Sequence, residues 1–370
     1  MKVREKYTDA PSENREDALA LTKEERQKKT ISIINKVLAF LLTTFILIGV
    51  AGLGVEYVLV EGPSPALRDT FVMTMLETRR FGFMANIFLS DEEVAEIKSR
   101  NTIRETVEMD TSLINIPGHG QDGTGGEESG PVETIDYGLV DEDGDGIIID
   151  QVVKKLCTGY MMIVQDPSRV FVGKPNSFGG TGLTVEDMCQ KYDAIGGINA
   201  GGFKDDQGSG TGGIPQGLTI VDGHCYNDEF GVTEGFAGFD SKGVLHVGYY
   251  TYEDCVKNDI VNAVSFGPVL ISNGTPTPAE YLVSGINPRT AIGQRADGAV
   301  LMLVIDGRQV HSAGATYQDC VDIMLDYGAV NACNMDGGSS TAMYYQGKYV
   351  NSISSSNGQC RPLPNAFMFK

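Results

Sequence analysis

Hydrophobic positions divide the chain into three regimes. From Val37 to Val55 ("VLAFLLTTFILIGVAGLGV"), 19 residues carry no charge and are largely apolar, close to the length a helix needs to cross a bilayer. From Leu67 to Asn101 apolar residues recur at mixed three- and four-residue spacings, which predicts helix, and "SDEE" (Ser90 to Glu93) supplies a helix start. Beyond Gly146 the pattern shortens to apolar runs bounded by Gly, Asn and Asp, predicting strands at 159–165, 217–223, 244–251, 263–271, 290–294 and 299–307. The last run, "AVLMLVIDG", is almost unbroken hydrophobic, as for a strand covered on both faces. Many strands with few helices predict an α+β fold, a mixed β-sheet core with flanking helices.

Two segments share a plan. "LTVEDMCQKYDAIGGINAGGF" (Leu183 to Phe203) and "ATYQDCVDIMLDYGAVNACNMDGGSS" (Ala315 to Ser340) each run Thr cap, helix, short apolar strand, Asn, then Gly-Gly. Thr184 and Thr316 suit N-caps and Gly328 a helix stop. Asn199 and Asn334 fall at matching places, so the two units are expected to bring Gly-Gly turns to one pocket; chance similarity is the competing reading.

Charge orients the chain around the apolar run. Lys23, Arg26, Lys28, Lys29 and Lys36 precede it, whereas Glu56 and Glu61 follow. The positive-inside bias therefore predicts a single-pass signal anchor in the cell membrane, with a cytoplasmic amino terminus and the larger part of the chain extracellular. A cleavable signal peptide is the alternative, but no clear A-x-A site follows the run. The predicted organisation is a cytoplasmic arm (1–36), a transmembrane segment (37–58), a helical stalk (59–116), a flexible acidic linker (117–145) and a globular domain (146–370). Residues 1–36 hold nine Lys or Arg against seven Asp or Glu, a sum of +2, so the remainder carries −22 against −20 for the whole chain. Such a surface repels nucleic acid, which is excluded as a partner.

Seven cysteines occur without any C-x-x-C spacing, and there are only four histidines, which argues against a thiolate zinc site. Buried free thiols are expected, with one or two disulfides as the alternative. "DEDGDG" (Asp141 to Gly146) matches the opening of a calcium loop, but the twelfth position is Val152 where that loop needs Glu. An acidic turn ahead of a strand is the preferred reading; no cofactor is required, and a divalent cation stays open.

Candidate chemistry lies between Asn287 and Thr341. Asp336, in "NMDGGSST", stands where a strand ends and two glycines begin, and its alternative is a carboxylate bracing its own turn. Asp306, in "VIDGRQ", could equally be explained by a hairpin turn, although Arg308 beside it suggests a site. Arg289, in "NPRTAIG", and Arg361, in "QCRPLP", are candidates for bidentate phosphate contacts, the alternative for each being a structural carboxylate partner.

In order, "INAGGF", "FGPVLISNG", "NPRTAIGQRADGAVLMLVIDGRQ", "GAVNACNMDGGSSTAMYYQGKYVN" and "CRPLPNAFMF" resemble the phosphodiester glycosidase domain family over residues 146–370. Gly202 stands where the family often has an aromatic and Met335 where Leu is usual, departures that touch substrate identity rather than fold. The resemblance implies a hydrolase of a sugar joined through its anomeric carbon to a phosphodiester, within a cell-surface glycan or glycolipid. It makes Asp336 and Asp306 the catalytic candidates. Asn199, Gly201, Arg289, Thr290, Arg308, Gly337, Gly338, Ser339, Ser340 and Arg361 become the substrate-binding candidates. A non-catalytic protein that binds an exopolysaccharide or wall polymer with the same pocket is the alternative.

Overall fold

A computed structural model describes residues 13–78, 81–101, 107–116, 138–154, 156–205, 210–228, 235–355 and 357–370. The chain divides into two compact units, Met1–Ser64 and Pro65–Lys370. Among the described residues the first contains one helix, Glu13–Glu61, whose stretch Gln27–Glu61 is long and apolar enough to cross a membrane and has none of its most apolar window buried. The expected arm therefore joins this helix from Glu13 onward. Of the linker expected at 117–145, residues 117–137 lie outside the described residues.

The second unit contains three sheets, and every strand pairing described is antiparallel. The largest orders seven strands as Ile147–Lys154, Cys157–Val164, Val300–Ile305, Arg289–Arg295, Ala329–Met335, Val269–Ser272 and Thr275–Pro276. A five-stranded sheet runs Lys348–Tyr349, Met343–Tyr345, Gly196–Asn199, Ala366–Phe369, Val170–Gly173. Another runs His224–Asp228, Leu218–Val221, Ile260–Ser265, Phe236–Asp240, Leu245–Gly248.

Strand 300–305 shows how the pattern becomes a core. Side chains alternate across a strand, and here Val300, Met302 and Val304 enter a cluster shared with Ile198, Phe367, Leu245 and Val264 of the two smaller sheets. Leu301, Leu303 and Ile305 point the other way, into a cluster with Cys320, Val321, Ile323 and Met324 of helix Tyr317–Asp326. The unbroken hydrophobic run is thus covered on both faces, as read from the sequence. The smaller sheets also carry helices: Val185, Met188 and Cys189 of helix Val185–Tyr192 pack on Tyr344 and Met368, and Cys255 of helix Tyr252–Lys257 packs among Leu218, Ile220 and Phe236.

Local signals behave as their chemistry dictates. Thr184 and Thr316 form capping boxes with Asp187 and Asp319, as Ser90 does with Glu93, each satisfying backbone N–H groups that a helix start leaves open. The helical span expected from Leu67 to Asn101 is broken into Pro65–Glu77, a short turn at Gly82–Asn86 and Asp91–Arg100. It belongs to the same compact unit as the sheets rather than forming a separate stalk. Asp69 ties the first helix to the last through Arg100, at 2.6 and 2.9 Å, and Asn101, at 2.9 Å.

The strand expected at 263–271 is two strands, ending at Ser265 and resuming at Val269. Pro268 has no N–H to give a ladder, and the carbonyls released at the break turn to Asn334: Pro268 O accepts from its backbone and Gly267 O from its side chain.

None of the seven cysteines forms a disulfide, and six of them are buried. "DEDGDG" forms the acidic turn: Asp141 accepts from the Gly144 and Gly146 amides, and Asp145 accepts from Tyr345 Oη at 2.7 Å. One oxygen of each of Asp141, Asp143 and Asp145 lies within 4.8 Å of the others.

Candidate functional site

Strands Arg289–Arg295 and Ala329–Met335 are neighbours, with Thr290 opposite Met335. Their register sets Arg289 beside the Asp336 turn. Around this point lies a cavity of about 270 Å³ lined by Arg289, Arg308, Asp336, Gly337 and Gly338 together with Asn287, Asn334, Glu77 and Gln216. A larger cavity, about 340 Å³, shares Tyr317 with it but has no charged residue in its lining. The concentration of charge makes the smaller cavity the candidate site.

Arg289 is only 4% exposed. Its Nε donates to Ala315 O at 2.9 Å, its Nη2 to Gly285 O at 2.6 Å and to Glu77 Oε2 at 3.1 Å, and its guanidinium lies 4.1 Å from the Tyr317 ring centre. Burial disfavours its charge, but Glu77, with smaller contributions from Tyr317 and Cys320, outweighs that effect and raises its pKa. Asn287 joins the same network from the strand's approach. Its Nδ2 donates to Glu77 Oε2 at 3.0 Å and its Oδ1 accepts from Arg308 Nη2 at 2.9 Å.

Arg308 stands at the rim, held by a left-handed backbone (φ 58°). Its pKa is lowered, first by desolvation and then by the positive charge of Arg289, with Glu77 opposing. Two guanidinium groups therefore share one pocket with the carboxylates of Glu77 and Asp336.

The Asp336 turn is held from behind. Its N–H donates to Ala200 O at 2.9 Å, and its carbonyl accepts from Asn199 Nδ2. Asn199 Oδ1 accepts from Thr290 Oγ1 at 2.8 Å and from the Ala342 N–H at 3.0 Å. The two Asn-Gly-Gly turns do meet, but only Gly337 and Gly338 line the cavity. Gly338 adopts φ 62°, a conformation that favours glycine. Its N–H is engaged with Pro288 O at 2.9 Å, so it is not available for the phosphate contact expected from the sequence.

Several other candidates sit elsewhere. Asp306 is 2% exposed and does not line the cavity. Its Oδ1 accepts from Ser352 N at 2.9 Å and Asn351 Nδ2 at 3.3 Å, and its Oδ2 pairs with His311 Nε2 at 3.0 Å. A carboxylate so engaged braces the 341–352 segment rather than reaching into the pocket. Arg361 pairs with Asp205 at 2.7 Å and lies over the Phe203 ring, with Ser339 Oγ at 3.4 Å, which is the structural partnership its sequence reading allowed. Asn199, Thr290 and Ser340 are buried, and the Gly201 amide donates to Asn365 Oδ1 at 2.7 Å.

Sequence reasoning missed Glu77, Asn287, Asn334 and Gln216. Asn287 and Asn334 lie inside the motifs that pointed to the site, so their proximity to Arg289 and Asp336 was the available signal. Glu77 had none, because its helix reads as packing.

Residues 192–370 match the model of the phosphodiester glycosidase family. Over that stretch the chain is similar to this family. A SPbeta prophage-derived uncharacterized protein, YomE, of Bacillus subtilis is 32% identical over 204 residues, which is 51% of this chain and 29% of that protein. The bovine N-acetylglucosamine-1-phosphodiester alpha-N-acetylglucosaminidase is 27% identical over 214 residues, 51% of this chain and 39% of the enzyme. The chain therefore spans well under half the length of these curated relatives. The catalytic domain of the zebrafish enzyme superposes with a TM-score of 0.52 at 22% identity, covering 60% of this chain and 81% of that domain. That likeness supports the α+β fold of antiparallel sheets.

Proposed function

We propose that the protein is a membrane-anchored hydrolase of sugar-1-phosphodiesters whose domain acts on cell-surface glycans or glycolipids outside the cell. The observation that carries this reading is the convergence of Arg289 and Arg308 on one cavity that also holds Asp336. The family resemblance and the likeness to the bovine enzyme supply the reaction class.

In this reaction water adds to the anomeric carbon as the C1–O bond breaks, and the bonding pair leaves with a phosphate monoester. Such a leaving group needs less protonation than a sugar alcohol, so the two-carboxylate arrangement of ordinary glycosidases is relaxed. Of the two catalytic candidates Asp336 alone lines the pocket, and it would act as nucleophile, base or electrostatic stabiliser of the oxocarbenium-like centre. Arg308 and Arg289 would hold the phosphate and stabilise its growing charge. Asp306 would act only through the segment it braces.

Anchoring rests on the apolar helix 27–61 and the basic residues before Val37. The test is turnover of a panel of sugar-1-phosphodiesters by the full-length chain in detergent, with release of phosphate monoester as the readout. Binding without turnover would favour a polymer-binding protein instead. Protease added to intact cells is expected to digest the carboxy-terminal domain and spare an amino-terminal tag; the reverse pattern would overturn the topology.

A further inference from the structure

Asn334 is 1% exposed, lines the cavity, and its Oδ1 has no hydrogen-bond partner among the described residues. The amide's orientation is fixed by its other end: Nδ2 donates to Gly267 O at 2.8 Å and to Met335 O at 3.0 Å. Rotating the amide by half a turn would place Oδ1 against those two carbonyl oxygens, so the acceptor stays on the side of the amide away from them. A buried acceptor left unmatched costs on the order of 1–3 kcal/mol, which a donor on a bound ligand would remove.

Location narrows what that ligand group is. Asn334 and Asp336 are two residues apart on one extended segment, so their side chains leave the same face about 7 Å apart. A sugar whose anomeric carbon meets Asp336 therefore lays neighbouring ring substituents toward Asn334. The arginines and the Asn287 Nδ2 are donors and suit the phosphate, whereas Asn334 Oδ1 is an acceptor and suits a hydroxyl or amide N–H.

We propose that Asn334 Oδ1 is the specificity-determining acceptor that reads one hydrogen-bond donor on the sugar ring of the substrate. This inference rests on the sugar-1-phosphodiester reading given above. It assigns Asn334 a part in choosing the sugar, not in breaking the bond.

The experiment takes the sugar-1-phosphodiester that the full-length chain hydrolyses best and compares it with its monodeoxy and deoxyfluoro analogues. One deoxy analogue is expected to lose at least about tenfold in kcat/KM, because a site built around a donor rejects a ligand lacking it. The corresponding deoxyfluoro analogue, which keeps an acceptor but no donor, is expected to lose as much. In Asn334→Ala the penalty for that analogue, relative to the parent, should fall to within about twofold. Recovery by fluorine, a flat deoxy series, or an unchanged penalty in a folded Asn334→Ala would each overturn the inference. The calorimetric affinity for the fluorine analogue needs only the wild-type chain and is free of the electron withdrawal by which fluorine slows an oxocarbenium-like step, so it decides the matter even if the variant does not fold. Calorimetric affinities of the same analogues separate the two readings: absence of turnover would sink the hydrolase reading, while the pattern of affinities still decides the acceptor.

Discussion

Glu77, the last residue of helix Pro65–Glu77, places one carboxylate oxygen 3.1 Å from Arg289 Nη2 and 3.0 Å from Asn287 Nδ2, 212 and 210 residues away in sequence. The other oxygen, Oε1, is buried without a hydrogen-bond partner among the described residues. A carboxylate satisfied on one side only is a poor structural strut but a fair imitation of one edge of a phosphate. The helix thus fills, from within the chain, the place where the arginines would hold an anion.

Replacing Glu77 should therefore help anions. Glu77→Gln keeps the shape while removing the charge that neutralises Arg289, and inorganic phosphate is expected to bind roughly tenfold tighter, a shift of about 1.4 kcal/mol. Isothermal titration at low ionic strength measures it. Unchanged or weaker phosphate binding would mean that Glu77 does not occupy the phosphate's place.

The sequence made the Arg289 and Asp336 pair legible because both stand at ends of apolar runs, where burial yields to Gly-flanked polar residues. Strand 300–305 was legible for the same reason: its unbroken hydrophobicity has few solutions other than burial on both faces. Asp306 misled because an aspartate after a strand looks alike whether it faces a pocket or accepts from Ser352 and Asn351. Those partners are 46 and 45 residues distant, and local pattern does not reveal such pairings. Glu77 was invisible for a stronger reason, since its role depends on where a helix from a predicted stalk comes to rest.

Asn199 should prove a brace rather than a ligand contact. Asn199→Ala would leave the Asp336 carbonyl, the Ala342 N–H and the Thr290 hydroxyl without their partner, all within a buried cluster. A loss of about 2–4 kcal/mol in unfolding free energy is expected. Urea denaturation monitored by circular dichroism tests this, and a stability within about 0.5 kcal/mol of wild type would remove the brace from the account.

The buried thiols predict a pH dependence. Desolvation pushes Cys189, Cys255 and Cys320 from 9.0 up to about 12 in the folded chain. Below about pH 9 both folded and unfolded states keep their protons and the full stability is present. As pH rises further the unfolded chain ionises first, so each thiol should withdraw up to roughly 1.4 kcal/mol per pH unit until its folded-state pKa is reached. Stability that holds constant from pH 8 to pH 10.5 would contradict this, as would rapid alkylation of these thiols in the native protein at pH 8.

Asp336→Asn tests the charge in the pocket. The turn's backbone bonds to Ala200 and Asn199 involve the main chain, so the substitution should leave them intact. Turnover of a sugar-1-phosphodiester is expected to fall by about a hundredfold or more, the scale seen when a preorganised electrostatic group is removed. A folded variant keeping more than about half the activity would reduce Asp336 to a turn residue.

The two arginines should separate when each becomes lysine. Arg289 makes bonds to Ala315 O, Gly285 O and Glu77 and lies against Tyr317, a set of directions that one ammonium cannot reproduce. Arg289→Lys is therefore expected to lower the melting temperature by several degrees as well as activity on every substrate. Arg308 is exposed at the rim and makes one side-chain bond to Asn287, so Arg308→Lys should leave the melting temperature within about a degree. Its effect should fall on charge recognition alone: KM for a sugar-1-phosphodiester rising about tenfold, with a neutral aryl glycoside of the same sugar unaffected. Equal losses on both substrates in Arg308→Lys would remove the phosphate contact from Arg308, and with it the two-arginine grip on which the proposed function stands.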